Sequence, residues 1–545
     1  GRNNHKCKFL EDNKNAIPEQ KKEVNSKLYD IFEGRREKLQ ELISKDVSAD
    51  NKNIPCKIEL KEKNFNRLKE YLKQNKKINI KNFEKVSDIK RMSVAPVCPY
   101  WSPVVPEEYD VKNLDEKEKI KYRGLKNKNF YFYKRKPGCG FYEQFNSYVD
   151  SDIIVFNSLK YKLESALNRK PCTEVEIIDE CDEFLDGFSN QRNINIDRLQ
   201  NSISHARVSE EESFQIIREI NEILNHLKRN NKVNELIRNR GIIELKKTGL
   251  YDLFKIFIRN SEFAEEIDEE SYVHDVVSTI RMFDEFLDET YVLFDKREDN
   301  LIASVVTINL AKKFQEMVNK NKVVVLMSGT LHSSDVLSEI FGIDKFKIIE
   351  AETENPGKIN ILRTGEEMDC KYSNFFSGKA ERKKYLQTLD KCIEIAEKPV
   401  LIHVNSFGDL PDRFEREKFD LRYVITREDL IELQIRDKEN NMVKKFKEGR
   451  MNILFSTKCS RGVDFPGDEC KTIVFTKFPN PNVQDAFWKI LNKTNPQKYW
   501  SFYKDKARRE ILQKIYRGVR FKEDEVTLMS PDLRVLNFFK EKSSS

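Results

Sequence analysis

Acidic, small hydroxyl and arginine residues stand in this chain where apolar runs end, and each grouping is suited to a definite chemistry. The run Val175-Glu176-Ile177-Ile178 leads directly into Asp179-Glu180-Cys181-Asp182. A short β-branched run predicts a strand, and open α/β sheets bind ligands beyond the carboxyl ends of their strands. At such a place Asp179 can hold a nucleotide-bound Mg2+, and Glu180 can position or deprotonate an attacking water. The same residues equally suit an acidic turn that caps the next helix.

Three further groups follow. Met327-Ser328-Gly329-Thr330-Leu331 comes after an apolar run of valine and leucine. Hydroxyls there can relay a nucleotide-dependent shift through hydrogen bonds, or serve an ordinary strand-to-helix turn. Ser460 to Gly467, with Gly462 and Asp464, reads as a hinge presenting a carboxylate and backbone amides into a cleft, or as a surface loop. Gln513, Arg517 and Arg520 stand at i, i+4 and i+7, with Arg508 and Arg509 upstream, and this spacing predicts one face of a helix. Two guanidinium groups aimed at one place stabilise charge on a transferring γ-phosphate; a solvated basic face is the other reading.

The elements that must position these groups follow from periodicity. Strands are predicted at Ile153 to Phe156, Val175 to Ile178, Val323 to Met327, Val400 to Val404, Tyr423 to Thr426, Ile453 to Phe455, Ile473 to Thr476 and Val526 to Met529. Helices such as Lys379 to Ala396 and Ala507 to Tyr516 lie between the later strands, so a doubly wound α/β region with a parallel sheet is expected. Between about 190 and 298 the period changes to 3.6. Ile216, Ile217, Ile220, Ile223, Leu224 and Leu227 share one face, and Val276, Val277, Ile280, Phe283 and Leu287 another, which predicts a helical insertion. Residues 1–140 are rich in Lys and Asn, with short amphipathic stretches such as Phe65 to Leu72.

Bulk properties narrow the class. A chain of 545 residues exceeds what one hydrophobic core serves, so several domains are expected. The net charge of +7 is a small excess over 98 basic and 91 acidic side chains, so the total alone does not name a partner. No apolar run approaches the roughly 18 residues of a membrane span, and the start has no signal-peptide pattern, which points to the cytoplasm and no membrane. Cysteines in such a compartment are reduced thiols or metal ligands.

Taken in order, the four groups resemble the helicase motifs of the XPD/DinG family within superfamily 2, the archaeal-type iron–sulfur DNA helicases. Asp179 to Asp182 stands at the DEAH box, Ser328 to Leu331 at SGTL, Ser460 to Gly467 at SEGIDFPG, and Gln513 to Arg520 at QAIGRVIR. Val400 to Phe407 resembles motif IV, and Ile153 to Tyr161 resembles IVYNYxYL. The likeness covers about 140–190 and 300–540.

The resemblance implies an α/β fold of two RecA-like motor domains, with an iron–sulfur domain and a helical arch inserted in the first. Residues 1–140 fall at the iron–sulfur insertion, 141–190 and 299–350 at the first motor domain, 191–298 at the arch, and 351–545 at the second motor domain. It also implies an ATP-dependent DNA helicase of 5′ to 3′ polarity acting in DNA repair on single-stranded or forked DNA. By carry-over Asp179 coordinates Mg2+ and Glu180 activates water. Ser328 and Thr330 couple hydrolysis to DNA movement, Asp464 and Gly462 belong to the nucleotide-sensing loop, Arg517 and Arg520 face the γ-phosphate, and Gln513 orients the final motif.

The chain departs from the family in three places. Cys181-Asp182 replaces Ala-His, and that His joins the ATP site to the DNA motif. Arg461 replaces Glu. No GxxxxGK(S/T) loop exists: Gly357-Lys358 is followed by Ile and Gly378-Lys379 by Ala. Without a phosphate-cradling loop the chain alone binds ATP poorly, so a Walker A segment, cut away or separately encoded, is expected as a partner. The rival reading from another class is a non-catalytic nucleic-acid clamp derived from a helicase.

Four cysteines, Cys7, Cys56, Cys98 and Cys139, precede the first motor strand, and the family carries four cluster-binding cysteines in that interval. Cys7 lies in a segment resembling GRxNxxC, and Cys139 in one resembling CPYYEQ. Cys56 and Cys98 are assigned by elimination. Thiolates suit a 4Fe-4S cluster or zinc, and unliganded thiols remain the alternative. His5 is a further candidate ligand. Pro99, Tyr100, Trp101 and Phe130 to Tyr133, set among Lys and Arg, either stack on bases or form the core of a small domain.

Overall fold

The computed structural model describes residues 2, 5–13, 47–109, 111, 114–187, 191–206, 211–260, 263, 271–319, 321–350, 357–437, 440–457 and 462–542. Ser460 and Arg461 lie outside these residues. Internal contacts divide the chain into two units, one of residues 1–176, 187–309 and 316–325, the other of 177–186, 310–315 and 326–545. No helix among the described residues is long and apolar enough to cross a membrane.

Among the described residues, two cores lie in the first unit. In one, the helix Phe65–Gln74 shares a core with a three-stranded antiparallel sheet whose middle strand, Asn129–Lys134, lies between Val104–Pro106 and Glu118–Arg123. Tyr100, Trp101, Phe130, Phe132 and Tyr133 are buried there with Leu68 and Tyr71. These aromatics are therefore core, and the base-stacking alternative does not apply to them.

In the other core the amphipathic periods fold as expected. Ile216, Ile220, Leu224 and Leu227 of the helix Glu211–Arg229 are buried in the same core as Val276, Val277 and Ile280 of the helix Tyr272–Arg281. The helices share this core with a four-stranded antiparallel sheet that periodicity did not predict. Its order is Gln191–Asn195, Asn300–Thr307, Thr290–Arg297, Ile242–Glu244. The central pair forms a hairpin whose register, Arg297 opposite Asn300, leaves a two-residue turn of Glu298 and Asp299. Both have positive φ, 48° and 64°, as a turn matching strand twist requires.

The second unit contains a five-stranded, wholly parallel sheet in the order Lys358–Ile361, Glu525–Met529, Thr472–Phe475, Val400–His403, Ile453–Ser456. Parallel sheets are covered on both faces, and side-chain alternation divides this one between two cores. Val400, Ile402 and Val474 enter a core with Leu386, Leu389 and Ile393 of the helix Arg382–Ile395. Leu401, Ile473 and Phe475 enter another with Ile511, Leu512 and Ile515 of the helix Pro496–Ile515. The mixed α/β fold with a parallel sheet is as the sequence predicts.

Three local expectations fail for identifiable reasons. Ile153 to Phe156 is not a strand: Ile153 and Val155 are 82% and 90% exposed, and Phe156 packs edge-on to Tyr161. Tyr423 to Thr426 is not a strand either, because a side chain takes its amides. The Asp390 carboxylate accepts from the N–H groups of Arg422, Tyr423 and Val424 at 3.1, 2.7 and 2.8 Å. Finally, the helix carrying Gln513 ends at Ile515, so Arg517 and Arg520 lie beyond it. The chain turns there because Gly518 lets the backbone close on the sheet: a Cβ at that position would stand 3.0 Å from Ile473 Cδ1 and 3.1 Å from Val526 Cγ2.

Candidate functional site

Two turns meet in the second unit, at 179–182 and 327–331. The Met327 N–H donates to the Ile178 carbonyl at 2.9 Å, and the Cys181 N–H donates to the Met327 carbonyl at 2.9 Å. The acidic turn and the Ser328-Gly329-Thr330 turn are thus stitched side by side. Asp179 and Glu180 stand exposed in that turn. Glu180 has φ of 47°, a left-handed conformation that costs a non-glycine residue about 1–2 kcal/mol and recurs at functional turns.

Asp182, fully buried, is the point on which the groups converge. Ser328 Oγ donates to its Oδ1 at 2.8 Å, and Thr330 Oγ1 donates to its Oδ2 at 3.4 Å. Gln513 Nε2 donates to the same Oδ2 and to Thr330 Oγ1 at 2.6 Å. The Thr330 N–H closes the loop on Ser328 Oγ at 3.0 Å. Three sequence groups therefore form one hydrogen-bonded assembly around a carboxylate that the sequence reading noted only as a departure.

A second layer lies behind it. Arg509, 3% exposed, donates from Nε to Asp505 at 2.7 Å and through two nitrogens to Asp186 at 2.9 and 3.2 Å. Its Nη1 lies 3.6 Å from Asp182. His332 Nε2 meets Asp186 at 3.0 Å, and the Ser333 N–H donates to Asp505 at 2.9 Å. A buried guanidinium shared among three carboxylates satisfies the requirement that buried charge be paired. Burial acting alone would raise the Asp186 carboxyl, but the His332 hydrogen bond and the charges of Arg509 and Lys506 outweigh it and hold the group well below the usual carboxylate range. Sequence reasoning missed Asp186, His332 and Asp505; only their place near the motifs marked them.

The last two sequence groups also come together. Arg517 Nη1 and Arg520 Nη2 both donate to Asp464 Oδ1, at 2.7 and 2.6 Å. Burial raises the Asp464 carboxyl, while these two guanidinium groups lower it further, with a net fall. Gly462 has φ of 74° with open space at its Cβ position, so glycine is needed there for backbone freedom. Asp524 ties the two loops, accepting from the N–H groups of Gly467, Arg520 and Phe521 at 2.9, 2.6 and 2.7 Å. An anion arriving at this face meets two guanidinium groups already held in place.

In the first unit Cys7, Cys56, Cys98 and Cys139 are all buried and line one small cavity, with Arg2, Tyr100, Phe141 and Tyr142 among its walls. Burial pushes the Cys56 thiol up to about 12 and raises Cys7 and Cys98, so metal uptake must release protons. No group of three His, Cys, Asp or Glu side chains among the described residues is close enough to hold a single ion. A lone zinc at about 2.3 Å from each sulfur would draw four thiolates to about 3.8 Å of one another. Among the described residues the four cysteines are not gathered as a lone-zinc site requires. His5 lies beside Gly140, where a Cβ would stand 2.8 Å from its Nδ1, and is not among the residues lining the cavity.

Residues 389–543 match the family model described as "Helicase C-terminal domain". That span contains Asp464, Gln513, Arg517 and Arg520. The chain is similar to three solved structures at 16% identity: an XPD helicase (TM-score 0.45, covering 74% of this chain and 74% of that one), an apo XPD (0.44, 74% and 83%) and Xpd4 of S. tokodaii (0.40, 67% and 73%). No curated protein matches.

The depressed Asp186 carboxyl predicts an acid dependence. Its native pKa lies below the unfolded value of about 3.9, so its contribution is complete above that pH and is lost as pH falls through the native value. Asp186→Asn is expected to cost about 3 kcal/mol at neutral pH, since Arg509 keeps two other carboxylates, and to flatten the acid limb. Denaturant unfolding across pH 2–7 reads both effects; an unchanged acid limb refutes the assignment. For the thiols, anaerobic iron and sulfide reconstitution of the full chain is expected to give visible charge-transfer absorbance that Cys98→Ser abolishes. Equal iron uptake by the variant would remove Cys98 from the ligand set.

Proposed function

We propose that the chain is the larger part of an ATP-dependent DNA helicase, translocating 5′ to 3′ in DNA repair, whose phosphate-cradling loop is supplied by a further segment. The observation that carries this is the convergence of Ser328, Thr330 and Gln513 on the buried carboxylate of Asp182. A solvated turn or a helix cap needs no such link between positions so distant in sequence. A device that transmits a change at the acidic turn to the turn at 328–330 and to the helix Pro496–Ile515 needs it.

In this reading Asp179 holds the Mg2+ of bound ATP and Glu180 orients the water that attacks the γ-phosphate. Asp182 takes the linking part that a histidine plays in the resembling family. Arg517 and Arg520, held over Asp464, meet the phosphate charge. The four-thiol cavity holds a 4Fe-4S cluster that braces the first unit, with Cys7, Cys56, Cys98 and Cys139 as ligands.

The test is ATP hydrolysis by the full chain joined with the segment bearing its phosphate loop, with and without single-stranded DNA. Wild type is expected to hydrolyse ATP in a DNA-stimulated manner, and Glu180→Gln to lose roughly 100-fold or more while binding DNA normally. Hydrolysis at background in the confirmed complex, with DNA still bound, would replace the motor with a nucleic-acid clamp.

A further inference from the structure

The charge excess of the chain is concentrated. The paired helices Ala486–Thr494 and Pro496–Ile515 contain eight Lys and Arg against Asp505 and Glu510, a net +6 of the chain's +7. Both acids are matched within the pair, Asp505 by Arg509 at 2.7 Å and Glu510 by Lys514 at 3.2 Å. The remaining cations have no acidic partner on these two helices.

One stripe of the longer helix adds an aromatic ring to this field. Trp500, Lys504 and Arg508 follow at i, i+4 and i+8, which aligns them along one face at about 6 Å per step. All three are exposed, and Trp500 is 53% exposed. The chain has three tryptophans; Trp101 and Trp488 are buried at 2% and 5%. Trp500 is braced from behind, edge-on to Tyr499 with centroids 5.0 Å apart and to Tyr503 at 6.0 Å. The Tyr503 hydroxyl in turn donates to the Pro481 carbonyl at 3.0 Å. A large aromatic surface left in water costs solvation free energy, and here it is held by its neighbours and followed by two cations without an ion pair among the described residues.

We infer that this stripe is a single-strand DNA platform, with Trp500 stacking on a base and Lys504 and Arg508 contacting the phosphates that follow. Aromatic surface supplies sequence-tolerant stacking, and cations along the same line supply backbone attraction. The inference rests on the helicase reading for its choice of ligand, and it assigns a surface that none of the four sequence groups contains.

The probe is a labelled oligo(dT) titrated into the full chain, followed by DNA anisotropy and by tryptophan emission. Binding is expected to quench emission, and Trp500→Phe is expected to remove that quenching while keeping near-normal affinity, because a ring remains to stack. Trp500→Ala should weaken binding about 5- to 100-fold, and Lys504→Ala with Arg508→Ala should lower the salt dependence by about 0.7 per lost phosphate contact. Binding with quenching that survives in Trp500→Phe, or with affinity unchanged in Trp500→Ala, overturns the platform and leaves the helicase reading standing. Absence of DNA binding by wild type overturns both.

Discussion

A carboxylate buried without charge compensation would disrupt the second unit, and Asp182 is fully buried. Its presence is tolerated because hydroxyls from one turn, an amide from a distant helix and the edge of a guanidinium all reach it. Each partner is thereby fixed. The turn at 328–330 cannot shift without stretching two hydrogen bonds, and the helix carrying Gln513 and Arg509 cannot slide without stranding charge. In a medium of low dielectric such a network is stiff when complete and costly when partly broken. That is the physical requirement for passing a local change at the acidic turn to elements far away in sequence.

The parallel sheet supplies the frame for this arrangement. Its strands alternate side chains between two cores, so the helix Pro496–Ile515 is seated through Ile511, Leu512 and Ile515 while its Arg509 and Gln513 point to the network. The same helix turns Trp500, Lys504 and Arg508 outward. One element thus carries a core face, a buried polar face and a basic aromatic face, which explains why its amphipathic pattern is weak in the sequence.

Much of this was legible from residue pattern. The 3.6 period of Ile216, Ile220, Leu224 and Leu227 gave a buried face, and the β-branched runs at Val400 and Ile473 gave parallel strands. Other features had no local signal. The hairpin at 290–307 turns on Glu298 and Asp299, both at positive φ, where Asn-Gly or Asp-Gly would have announced it. Asp390 satisfies the amides at 422–424 from a helix, so an apolar run that reads as a strand is none. Arg517 and Arg520 sit at helical spacing, yet the close approach at Gly518 ends the helix before them, and they reach Asp464 from a turn. Cys56 and Cys98 could be grouped with Cys7 and Cys139 only by resemblance, since their spacing in sequence carries no ligand pattern, whereas folding brings all four to one cavity.

The central claim is that the acidic turn, the 328–330 turn and the helix carrying Gln513 act as one coupled unit through Asp182. A double-mutant cycle of Asp182→Asn and Gln513→Ala, read by denaturant unfolding of the full chain, measures that coupling without requiring nucleotide. The account predicts an interaction free energy of about 1–3 kcal/mol. Effects that add to within about 0.5 kcal/mol would mean that the two side chains act independently, and would contradict it.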